Sequence, residues 1–159
     1  MTKYEDLSKL AVAHASARMD DLRNAESTAE LVRSRVARQL EAPDDTVQFA
    51  SLDEQLEPTA TAAATPSPIR GKDGRWYFGL LLHFALSGGG NRSKAAVQLS
   101  TVFDGSTLKV FLHRTEYVFR KDQEADWSRF LGDLEETLRA YYSSGWSAPR
   151  ASVGFVSFP

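Results

Sequence analysis

Between Trp76 and Phe119 large apolar side chains recur at every second position in three long runs. Successive side chains of a β-strand point to opposite faces, so this stretch restricts the chain to folds that contain a sheet. The first run, Trp76 to Leu86, carries Trp76, Phe78, Leu80, Leu82, Phe84 and Leu86 on one side. Ala95 to Phe103 forms the second run and Leu108 to Phe119 the third. Asp104-Gly105 between them is a hairpin signal, because both residues tolerate the positive φ of a tight turn. Pairing through that turn lays Val97, Leu99 and Phe103 beside Leu108, Val110 and Leu112. One face of the sheet is thereby almost wholly apolar and must be covered.

A cover follows in the sequence. Asp126 to Leu131 opens a helix whose Trp127, Phe130, Leu131, Leu134, Leu138 and Tyr141 share one side, with Gly145 placed as its left-handed cap. Val153 to Val156 reads as a last short strand. The first forty residues also read as helix, since Leu7, Leu10, Ala11, His14, Ala17, Ala25, Ala29, Val32, Val36 and Leu40 recur at steps of three and four. Thr2 with Glu5, and Ser27 with Glu30, both fit the capping box that satisfies free amides at a helix start. The second box falls mid-run beside Asn24, which predicts a helix or helix pair, with a break near Asn24–Ser27 slightly favoured. Pro43 ends the helix for want of an amide proton, and Thr46 to Leu52 alternates as a short strand.

The segment from 53 to 70 is acidic, then rich in Pro, Thr and Ala, with few large apolar groups to offset its ordering entropy, so it is expected to be a mobile loop. These readings combine into an α+β fold: an N-terminal helix or helix pair, an antiparallel four- to five-stranded meander, and a C-terminal helix packed on its apolar face. Residues 1–42 form the helical segment and 43–159 the sheet with its helix, within one compact domain. A chain of 159 residues that is 42% hydrophobic supports a single core.

Charge and residue usage remove whole classes of function. The 19 Lys and Arg against 21 Asp and Glu lack the basic excess of a nucleic-acid coat, which argues against such a partner. The chain has no cysteine, hence no disulfide, thiolate nucleophile or Cys-held metal. Its longest apolar run, Trp76 to Leu86, falls short of the roughly 20 residues of a membrane helix. The first residues lack the charged-then-apolar layout of a signal peptide, so a cytoplasmic protein with no membrane association is expected.

The second sheet face is where residue types suggest a site. It carries Tyr77, Leu81, His83, Gln98, Ser100, Phe111, His113, Thr115, Tyr117 and Phe119 by parity, too aromatic for a merely solvated surface. A simple register puts His83, Gln98 and His113 in one row, where two imidazoles could act as acid and base near neutral pH. No carboxylate or third histidine completes a metal site there, so neither a metal nor a cofactor is expected. Ser87 to Lys94 resembles an anion cradle, with glycine amides backed by Arg92 and Lys94. It lacks the Walker pattern and leads into a strand rather than a helix, so a hairpin loop is the simpler reading.

No nucleophile elbow, zinc-protease helix or dinucleotide fingerprint is present. The function expected is therefore a non-catalytic protein-interaction module, an adaptor, regulator or self-associating unit whose partner is another protein or itself. Tyr77, Leu81, Phe111, Tyr117 and Phe119 are its expected homodimer surface. The alternative is a small-ligand pocket around His83, Phe111, His113 and Tyr117, with an enzyme third.

Overall fold

The alternating runs pair as their period demands. A computed structural model of the chain describes residues 1–43, 45–85, 92–104, 107–112, 115–120, 124–143 and 155–158. It opens with helix α1 (Lys3–Gln39), followed by strands β1 (Val47–Leu52), β2 (Pro58–Ala63), β3 (Ile69–Arg70), β4 (Trp76–Ala85), β5 (Arg92–Asp104), β6 (Thr107–Leu112) and β7 (Thr115–Phe119). Helix α2 (Glu124–Ser143) and strand β8 (Phe155–Phe158) complete it. The sheet runs β2-β1-β4-β5-β6-β7, with β3 beside the start of β4 and β8 beside the start of β5. Its pairings are antiparallel, as expected, but its strands outnumber the four or five foreseen.

Two of the additional strands, β2 and β3, come from the segment read as a mobile loop. Asp53 Oδ1 accepts from the amides of Gln55 and Glu57, both at 2.9 Å, and the Asp53 amide donates to Glu57 O at 2.9 Å. Leu56 takes a positive φ of 64° to close the turn. Beyond it β2 returns along β1, pairing Leu52 with Pro58 and Phe49 with Ala63 across a bulge. Pro58 starts an edge strand, where its missing donor does no harm. Ladder hydrogen bonds and an Asp-closed turn order this segment, and neither leaves a hydrophobic signature.

The third run is two strands. Leu112 pairs with Thr115 and the two strands run antiparallel, so parity changes between β6 and β7. Val110 sits opposite Tyr117 and Leu108 opposite Phe119, which puts Tyr117 and Phe119 on the apolar face rather than the mixed one. An unbroken strand over 108–119 would have done the reverse.

Phe78, Leu80, Leu82, Val97, Leu99, Val110 and Leu112 form the sheet side of the core, all at most 5% exposed. α2 covers them with Trp127, Phe130, Leu131, Leu134 and Leu138, the stripe foreseen, except that Tyr141's side chain, Gly145 and Leu86 lie outside the described residues. Phe119 stacks on Trp127 with ring centroids 4.3 Å apart. The sequence assigns this face to α2 alone, but α1 shares the cover. Ala29, Val32, Val36 and Ala37 of α1 lie in the same core, because alanines let the helix approach closely. Arg35 fixes the two helices together, its Nη1 and Nη2 donating to the Glu124 carboxylate at 2.7 and 2.9 Å.

α1 is one helix, continuous through Asn24–Ser27. Its Thr2–Glu5 capping box is present, with Glu5 N donating to Thr2 Oγ1 at 3.2 Å and Thr2 N to Glu5 Oε2 at 2.7 Å. The second box is not used; Thr28 Oγ1 donates instead to Asn24 O one turn back at 2.8 Å. Neither proline nor glycine stands in this stretch to interrupt the ladder. Ala25 is the first buried residue of the helix. The part ahead of it, residues 3–24, extends about 33 Å at the rise of an α-helix. Among the described residues no helix is long and apolar enough to cross a membrane.

Candidate functional site

The mixed face can be built row by row. Tyr77, Ser100, Phe111 and Glu116 stand opposite one another across β4 to β7. The half-buried Tyr77 donates its hydroxyl to Asp73 Oδ2 at 2.5 Å. That bond holds the Asp73 carboxyl below the usual carboxylate range, while burial and then Asp73 push the Tyr77 hydroxyl up. Phe111 is only 8% exposed, with the Arg75 guanidinium 3.7 Å above its ring centroid. A cation seated over an aromatic face at this distance is favourable and closes the ring off from water.

One row along, Gln98 faces Gly79. Its Nε2 donates to Leu56 O at 2.6 Å, so the turn after β1 folds back over this face. A Cβ at Gly79 would sit 3.0 Å from Ala50 Cβ and 3.2 Å from Ala50 O, so only glycine leaves β1 this close. Leu81 is fully buried and clusters with Ala50 and Ala96.

At the far end His83 faces Lys94, and its Nε2 lies 2.9 Å from Gln48 Oε1. The row expected to hold His83, Gln98 and His113 is not formed. Register puts His83 four residues along β5 from Gln98, and His113 lies outside the described residues. The glycine loop and the side chain of Arg92 also lie outside them, while Lys94 is half-buried.

Tyr117 faces the helices. It is 4% exposed, meets Phe130 edge-on with centroids 5.2 Å apart, and donates its hydroxyl to Asp133 Oδ2 at 2.8 Å. Burial, reinforced by Asp133, pushes that hydroxyl up to about 12. His83, Phe111 and Tyr117 are thus not brought together: the first two stand at opposite ends of one face and the third on the other. Across the mixed face, aromatic and amide groups find partners within the chain.

Ile69 and Val118 stay 42 and 40% exposed at the margins of the mixed face, and a longer run of uncovered apolar surface lies on α1. Tyr4, Leu7, Leu10, Val12 and Met19 of α1 are 78, 65, 66, 70 and 50% exposed. The three-and-four spacing from Leu7 to Leu40 is legible in sequence, but the point at which the core takes up that stripe is not. At the base of this free half, Asp21, Asn24, Thr28, Arg70, Trp76, Thr101 and Phe103 line a cleft of about 210 Å³. A second cleft, of about 500 Å³, lies between Leu40, Phe84, Leu138 and Tyr142. Among the described residues no three His, Asp or Glu side chains gather to hold a metal ion. No family model, curated protein or solved structure matches the chain.

Proposed function

We propose that this chain is a non-catalytic cytoplasmic interaction module that holds another protein by packing a helix against the first half of α1. One observation carries the reading: residues 3–24 continue the helix about 33 Å ahead of its first buried residue, with large apolar side chains in water. An isolated helix in water is marginal even when alanine-rich, and helices in proteins draw most of their stability from packing one apolar face. A capped helix with Leu7, Leu10 and Val12 uncovered therefore suits a role in which a second helix completes it. The burial of Phe111 under Arg75 supports moving the expected partner surface from Phe111 to α1.

The test is site-specific photo-crosslinking in extracts of the native host. A photoreactive residue replacing Leu10 should give discrete adducts that Leu7→Asp abolishes, while one replacing Tyr77 gives none. Equal adducts from both positions, or none from Leu10, contradict the reading.

A further inference from the structure

Lys3, Leu7, Leu10, His14, Ala17 and Asp21 follow one another at steps of four and three, so they lie along a single line of α1. All six are exposed. Leu7, Leu10 and Ala17 make the line mostly apolar between a basic start and an acidic end, with His14 among them. We infer that its occupant is a second copy of this chain, packed antiparallel so that Lys3 of each chain meets Asp21 of the other. This inference rests on the reading of α1 as a docking helix and names its partner.

Three observations lead to it. Reversing the line onto itself sets Leu7 over the partner's Ala17 and Leu10 over the partner's His14, and places opposite charges at both ends. A parallel, in-register pair would instead set Lys3 against the partner's Lys3 and Asp21 against the partner's Asp21. Charge patterns of this kind select orientation in paired helices more than they add affinity.

Length agrees as well. The body of each subunit begins where α1 reaches Asp21, Asn24 and Ala25, which meet the sheet at the smaller cleft. An antiparallel overlap of residues 3–21 uses the whole free helix and stops where the partner's body begins. The two bodies then lie at opposite ends, whereas a parallel pair crowds them at one end. The partner's first turn arrives at the cleft lined by Arg70, Trp76 and Phe103, the last of them 55% exposed.

The absence of cysteine makes a clean test possible. Leu7→Cys and Ala17→Cys chains are purified, mixed and oxidised, and each is also oxidised alone. In the antiparallel pair Leu7 lies about 15 Å along the axis from the partner's Leu7, so the mixture should give a mixed disulfide dimer and neither chain alone should. Lys3→Asp should raise the dimer dissociation constant roughly five- to tenfold by turning two attractions into repulsions. Adding Asp21→Lys in the same chain should restore it.

Disulfide dimers from each chain alone would overturn the antiparallel pairing and leave the docking helix standing. No disulfide in any sample, with a concentration-independent mass of 17.6 kDa, would overturn the second copy as partner. The adducts at Leu10 described above then decide whether the docking helix survives with a different occupant. A Lys3→Asp effect that Asp21→Lys fails to repair contradicts the end-to-end charge pairing.

Discussion

Tyr117 shows how one residue's environment sets both its packing and its titration. Its ring meets Phe130 and its hydroxyl reaches Asp133, so deprotonation would place an anion beside a carboxylate in a buried site. The folded protein therefore holds this proton more tightly than the unfolded chain, and the stabilisation is fully present below the unfolded value near 10. It is lost as pH rises from there through about 12. Tyr117→Phe should cost about 1 kcal/mol near neutral pH and flatten the stability profile above pH 10, as read from urea midpoints across that range. Phe111 gives a second test at this scale. Because Arg75 covers its ring, Phe111→Ala should lose about 3 kcal/mol of stability without changing the oligomeric state. A dissociated but equally stable variant would return the partner surface to the sheet.

α1 is two elements in energetic terms, though one in geometry. Its second half lies against the sheet through Val32 and Val36, both fully buried, and is tied to α2 through Arg35 and Glu124. Its first half has a capping box and good helix formers but no covering surface among the described residues. Val32→Ala should therefore lower unfolding stability by roughly 2 kcal/mol at any protein concentration. Leu10→Ala should leave the core's unfolding midpoint in place and weaken association instead. Denaturation and sedimentation of the same two variants separate these effects.

At the scale of the whole molecule, what the sequence announces is burial. The alternation over Trp76–Phe103 and the three-and-four stripe of α2 predict the strands, the antiparallel order and the apolar face, because large side chains must alternate or recur to be buried together. Two features escaped that reading: the hydrogen-bonded Asp53 turn that folds β2 back, and the pairing of β6 with β7 that carries Tyr117 to the other face. The continuity of α1 escaped it too, since a capping-box pattern marks a helix start only where the preceding ladder ends. Of the expected site residues, Tyr77, Leu81, His83, Gln98 and Phe111 do share a face, as parity requires. Which of them stay open to a partner depends on Arg75, Gln48 and the turn at Leu56, whose positions follow from tertiary register. The most direct measurement of the central claim is backbone hydrogen exchange over residues 6–24 of the intact chain as a function of its concentration. Protection approaching that of residues 29–39 is expected in concentrated protein, with its loss on dilution and the core unchanged. Fast exchange over 6–24 at every concentration would contradict the claim.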